Sequence, residues 1–165
     1  MIIKIDFNEK YFELIENGLS ICKINSDCNS IGKTNYLGKD IEFETKREWL
    51  NYKYNILKDS KIIGSIKFNW LLDSIIRIIE NGTERKYVLK TSSLKQELNL
   101  YSEDKTHLMN FKKIKGDFFK FEIECKILDS QNKKSNDLNE LIIFSFFPAF
   151  LIMYGSLMNQ MNGGG

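Results

Sequence analysis

The amino-acid sequence predicts a mainly β protein, an antiparallel meander closing into a barrel around one C-terminal hydrophobic α-helix. Two observations carry this. Short runs of Ile, Phe, Tyr and Trp recur along the first 130 residues, broken by turn residues every ten or so positions. From Leu141 to Met158 the chain then runs 18 residues without a charge. A helix apolar all round must be surrounded, by protein or by lipid, and a large amphipathic sheet needs something apolar on its concave side. Each requirement answers the other.

The elements follow in order. Tyr11–Ile15 and Leu19–Ile24 flank Asn17-Gly18, a dipeptide suited to the positive φ angles of a type I′ turn. Segment 25–35 is polar and predicts a loop, with a strand after it over 36–45. Leu50, Tyr52, Tyr54 and Ile56 alternate with Asn51, Lys53 and Asn55. After the turn at Asp59-Ser60, Ile62, Ile66, Phe68 and Trp70 take up the pattern with Gly64 in phase, which predicts a hairpin. Ile75–Ile79 and Tyr87–Leu89 form a second across Asn81-Gly82. Further strands are expected over 95–101 and 107–114. The clearest alternation is Phe119, Phe121, Ile123, Cys125 and Ile127 with Lys120, Glu122, Glu124 and Lys126 between them, a half-buried antiparallel strand. The strands number about ten.

Asp129–Asn136 is polar and separates the strands from the helix. Asn136 or Asp137 can cap the helix start, with Glu140 near its exposed amides. Pro148 removes one intrahelical bond and is expected to kink it. No Pro- or Gly-rich linker divides the chain, so a single domain is expected over 1–165, with strands in 1–128, the helix at 137–158 and a flexible tail at 159–165. The alternative for the helix is a membrane anchor. At ~1.5 Å per residue the apolar run spans about 27 Å, enough for a thin bilayer, and Lys133 and Lys134 precede it as a cytosolic flank would.

The strand series Trp49–Leu128 followed by the helix Asp137–Met158 resembles the tubby C-terminal-like architecture, which includes the LURP-one-related proteins and the phospholipid scramblases. In that group a strand barrel wraps a central apolar helix. The resemblance is one of layout and carries no residue roles. It implies phosphoinositide or membrane-lipid contact in some members.

Composition narrows the chemistry. Twenty-four basic and 22 acidic side chains leave a net charge of +2, and only Arg47, Arg77 and Arg85 are arginines. A nucleic-acid partner is therefore not expected. Cys22, Cys28 and Cys125 lack the close spacing of a metal clip, and His107 is the only histidine. No cofactor or metal site is expected, and the cysteines fit a reducing compartment. The first residues lack the basic and apolar regions of a signal peptide, so a cytoplasmic location is expected. No phosphate-binding glycine loop, nucleophile elbow or HExxH sequence occurs, and no enzymatic activity is expected. Glu103, Asp104, Asp117, Glu122 and Glu124 are neighbouring carboxylates, but a hydrolase needs two that converge with divergent pKa values, and solvated strand charges explain these.

The densest basic-aromatic stretch is Lys112, Lys113 and Lys115 beside Phe111, Phe118 and Phe119, a candidate anionic-surface or membrane-surface site. Lys58, Lys61 or Lys90 would strengthen it if close in space. An ordinary solvated hairpin is the plainer account of these lysines. Trp49, Trp70, Tyr52, Tyr54 and Tyr87 line a pocket at the barrel mouth or, more simply, pack in the core. The sequence thus predicts a non-enzymatic binding protein for lipid or a protein partner, with a tail-anchored protein as the alternative.

Overall fold

The strand-forming runs pair in chain order, and the first and last strands then meet. The computed structural model describes residues 1–27, 31–48, 51–69, 73–80, 82–92, 97–130 and 134–162. Among them are β1 (Ile2–Asp6), β2 (Tyr11–Glu16), β3 (Leu19–Ser26), β4 (Ile31–Tyr36), β5 (Lys39–Glu48) and β6 (Asn51–Lys58). They continue with β7 (Lys61–Phe68), β8 (Ser74–Glu80), β9 (Thr83–Ser92), β10 (Glu97–Ser102), β11 (His107–Gly116) and β12 (Lys120–Ile127). One helix, α1 (Ser135–Asn162), follows. Each strand pairs antiparallel with the next, and β1 pairs with β12 from Ile2↔Glu124 to Asp6↔Lys120, closing a 12-strand barrel.

Barrel size explains the helix. At about 4.8 Å between strands and a tilt of about 40°, twelve strands close at a radius of roughly 12 Å. Eight strands can fill their interior with their own side chains; this wider ring needs a filling, and a helix about 10–12 Å across with its side chains fits it. Every residue from Leu141 to Phe150 is buried, so α1 is enclosed on all sides. Phe146 packs edge-on to Phe12, with ring centroids 5.2 Å apart, and contacts Phe111; Phe147 stacks on Phe43 at 4.0 Å. Inward strand residues Ile3, Leu14, Ile24, Ile56, Ile66 and Leu100 complete the core.

Ser135–Gly155 is long and apolar enough to cross a membrane, but the barrel holds it: 67% of its apolar window is buried in protein. The helix is the core of the barrel rather than an anchor. It runs to Asn162, past the expected end at Met158, and begins at Ser135, inside the segment expected to be loop. Pro148 lies within its span.

Three hairpins turn on two residues that both have positive φ, as a type I′ turn requires: Asn17-Gly18, Leu37-Gly38 and Asp59-Ser60. Glu80 pairs with Thr83 as the Asn81-Gly82 signal predicts, and Gly82 has φ +76°; Asn81 itself lies outside the described residues. The sequence expectation fails over 25–35. Residues 25–26 complete β3, and 31–36 form β4, paired with β5 from Ile31↔Glu44 to Tyr36↔Lys39. The inward positions of β4 are Gly32, Thr34 and Tyr36, so the strand lacks an apolar alternation. The reason is steric. A Cβ on Gly32 would lie 2.3 Å from the Phe147 ring, so the wall is thin where the helix is bulky. Ile62, expected inward, is 61% exposed beside the bulge between Ile56 and Leu57.

Alternating strand direction gives the barrel two ends. Turns after even-numbered strands gather where α1 enters, and those after odd-numbered strands gather where it leaves. At the entry end Lys58 Nζ lies 2.5 Å from Glu140 Oε1, and the buried Tyr36 and Asn139 side chains hydrogen-bond. At the exit end Phe7 packs on Phe150 and Tyr154. Asn139 and Glu140 of α1 thus find partners where the helix begins.

Candidate functional site

The three lysines singled out from the sequence lie on β11, toward the exit end, but they do not act alike. Lys112 is outward, 3.5 Å from Glu97 on β10. Lys115 is outward, 3.2 Å from Glu122 on β12. Lys113 is in phase with the inward Phe111; its Nζ donates to the Asp117 carbonyl at 2.8 Å and sits 4.7 Å over the Phe121 ring. Lys113 therefore fastens the β11–β12 hairpin, while Lys112 and Lys115 present their ammonium groups to solvent. Lys58 and Lys61 lie at the opposite end, and Lys90 lies on β9 near Tyr101.

The hairpin turn is built around Asp117. Its carboxylate accepts from the Phe119 and Lys120 amides at 2.8 and 2.7 Å, and those bonds hold its carboxyl below the usual carboxylate range. Gly116 has φ +108°, and a Cβ there would lie 2.4 Å from Phe121 Cα, so the chain reverses tightly. The turn leaves Phe118 49% exposed at its tip.

Barrel closure places β1 beside this hairpin and creates a groove of about 270 Å³ lined by Lys4, Asp6, Tyr11, Lys115, Lys120 and Glu122, with Ile5, Gly116 and Phe121 at its base. Asp6 is its fixed point. Burial pushes its carboxyl up, but Lys120 at 2.8 Å and the Glu9 and Asn8 amides outweigh this and hold it below its ordinary value. A row of opposite charges crosses the groove, from Lys115 through Glu122, Lys4 and Glu13 to Lys23. Lys23 also sits 3.7 Å over the Tyr11 ring. The groove brings together residues more than 100 positions apart, and only the pairing of β1 with β12 reveals it.

The other sequence candidates have structural employment. Tyr54 and Tyr87 are buried in the core; Trp49, Trp70 and Cys28 lie outside the described residues, as does the side chain of Tyr52. Glu124 contacts Lys126, and Asp104 accepts from the Ser102 hydroxyl and the Thr106 amide. His107 stacks on Tyr101 at 4.8 Å, with Nε2 3.1 Å from the Met109 carbonyl. Cys22 and Cys125 are buried free thiols, and burial pushes the Cys125 thiol up to about 12. Among the described residues no group of three His, Cys, Asp or Glu side chains could hold a metal ion.

Fold and surface together define an all-β barrel whose lumen is occupied by its own helix, leaving the outer wall and the two ends for contact with other molecules. In architecture this is the tubby, LURP-one-related and scramblase layout, a closed 12-strand antiparallel barrel encircling one C-terminal apolar helix. Comparison with protein-family models, curated proteins and solved structures gives no match.

Proposed function

We propose that this protein is a non-enzymatic cytoplasmic binding module whose ligand is a membrane-lipid surface, engaged by the β11–β12 hairpin at the exit end. One observation carries the reading: an exposed aromatic, Phe118, stands at the hairpin tip among Lys112, Lys115 and Lys120, whose side chains are 56, 68 and 57% exposed. An aromatic ring seats in the headgroup region while lysines meet anionic lipid, each worth about 1 kcal/mol near the surface. Lys112 and Lys115 rest beside the half-buried carboxylates of Glu97 and Glu122 but keep more than half of their own side chains exposed, so headgroup phosphates can reach their ammonium groups from the solvent side. The filled lumen supports a surface mode of binding.

Sedimentation with phosphatidylserine-containing vesicles tests this. Binding should fall steeply with salt, and K112E/K115E should weaken it about tenfold or more. Phe118→Ala should weaken it without changing the salt dependence. Equal pelleting with purely zwitterionic vesicles would refute the reading.

A further inference from the structure

The charges of the groove between β1 and the β11–β12 hairpin are seated at two levels. Asp6 and Glu122 are recessed, with side chains 9 and 21% exposed, whereas Lys120 and Lys115, which contact them, are 57 and 68% exposed. The Asn8 and Glu9 amides hold Asp6 from behind at 3.0 and 3.1 Å, so it fixes Lys120 at the groove's edge. Two further donors line the groove without a protein partner. Lys4 stands between Glu122 and Glu13 in the cross-strand row, yet among the described residues no carboxylate lies within ion-pair distance of it. The Tyr11 hydroxyl meets no hydrogen-bonding partner among the described residues, and Lys23 engages its ring instead. Burial, then the charges of Asp6 and Glu13, push the pKa of that hydroxyl up, so it keeps its proton and remains a donor.

Tyr11, Lys4, Lys120 and Lys115 come from four consecutive strands of the ring, β2, β1, β12 and β11, and face one concavity. The lining holds three ammonium groups against two carboxylates, a net charge of +1. Just outside it Glu13 is paired in register with Lys23 and Glu9 adjoins Lys10, so the balance holds. Ile5 and Phe121 give the groove an apolar base. An anion entering it meets the ammonium groups first, because the carboxylates lie deeper and already hold lysines.

We propose that this groove binds a phosphodiester monoanion. A carboxylate is planar and best gripped by the fork of an arginine, and no arginine lines the groove. Lysine ammonium groups are point charges with three donors each, suited to a tetrahedral phosphate approached from several sides. Charge then selects the diester. A phosphate monoester carries about −1.5 to −2 at pH 7 and would bring excess negative charge against Asp6 and Glu122, whereas a diester carries a single charge that matches the lining. The two ester arms of a diester have carbon to lay on Ile5 and Phe121, and about 270 Å³ leaves room for them. A membrane phospholipid is the source that the position fits, because Phe118 and the hairpin lysines bring a bilayer to the same end of the barrel. That source rests on the membrane reading above; the chemistry of the groove does not.

Titration of the isotope-labelled full chain with glycerophosphoglycerol, a water-soluble phosphodiester, tests the groove at low salt through amide NMR shifts. The amides of Ile5, Gly116 and Phe121 should move along one saturating curve. Lys4→Gln and Tyr11→Phe should each weaken binding about fivefold. Lys39→Gln, which removes the same charge at the entry end, should leave it unchanged. Acetate, with the same charge and no ester arms, and inorganic phosphate, with more charge, should both bind more weakly. Both groove variants should melt with the wild type, since Lys4 has no ion pair to lose and phenylalanine keeps the ring under Lys23; this separates loss of binding from loss of fold. Lys4→Gln should also weaken sedimentation with phosphatidylserine vesicles, which identifies the diester as lipid. A weakened titration with unchanged sedimentation would assign the groove to a soluble phosphodiester. A wild-type chain that titrates but does not pellet would refute the membrane reading and leave the groove standing. Absence of saturable shifts, affinity indifferent to Lys4→Gln and Tyr11→Phe, or acetate or inorganic phosphate bound as tightly as the diester would each overturn the proposal.

Discussion

Gly32→Ala probes the meeting of wall and helix most directly. The added methyl would stand 2.3 Å from Phe147 Cε2 and 2.9 Å from Cδ2, where carbon atoms rest at about 3.5–4.0 Å. The ring has to retreat by about 1 Å, and it has nowhere to go: it is stacked on Phe43 at 4.0 Å and 9°, with Tyr54 edge-on at 5.7 Å. Overpacking of this kind costs about 1–3 kcal/mol. Phe147→Ala alone should cost about 3–5 kcal/mol through lost burial and the cavity it leaves. In the Phe147→Ala background the clash vanishes, and Gly32→Ala should become neutral or stabilise by up to about 1 kcal/mol, because alanine narrows the unfolded ensemble. Urea unfolding of the four proteins in a double-mutant cycle reads the coupling, expected at about 1–4 kcal/mol from these two ranges. Additivity within about 0.5 kcal/mol would show that β4 does not face Phe147.

Three further outcomes are expected. Phe146→Asp places an unpaired charge against Phe12 and Phe111 at a fully buried position, and should abolish the near-UV circular dichroism of the fold, as should removal of residues 135–165. Asp6 is held below its ordinary 3.8, so its contribution is complete above that pH and is lost as pH falls through the lowered folded value; Asp6→Asn should flatten the acid limb of stability against pH. The Cys125 thiol is raised from 9.0 to about 12, so its contribution is complete below pH 9. It is lost as pH rises toward 12, at about 1.4 kcal/mol per unit, and urea midpoints of Cys125→Ala should show a shallower alkaline decline.

The architecture was legible because its two signals are local. Alternation from Phe119 to Ile127 and the uncharged run from Leu141 to Met158 each declare their burial without reference to distant residues. β4 was not, because its inward positions are chosen by Phe147, more than 100 residues away, which demands glycine where a strand pattern calls for a large side chain. The lysines of β11 were visible as a cluster, but the outward turn of Lys115, two positions from the inward Lys113, depends on the register shift between them. The groove beside Asp6 exists only in the strand pairings, and no spacing along the chain announces it.

The helix that fills the barrel is synthesised after the strands that surround it. Hairpins form within about 1–10 μs, so the early strands can pair as soon as they emerge. They then lack both the apolar plug they face and, until β12 appears, a partner for the outer edge of β1. At about 5–20 residues per second the 28 residues of α1 alone take roughly 1–6 s to make. For that interval the nascent chain shows a greasy inner face, and only the helix completes its core. A ribosome stalled before Leu141 therefore leaves strands without the core they face, a product fit for degradation or aggregation.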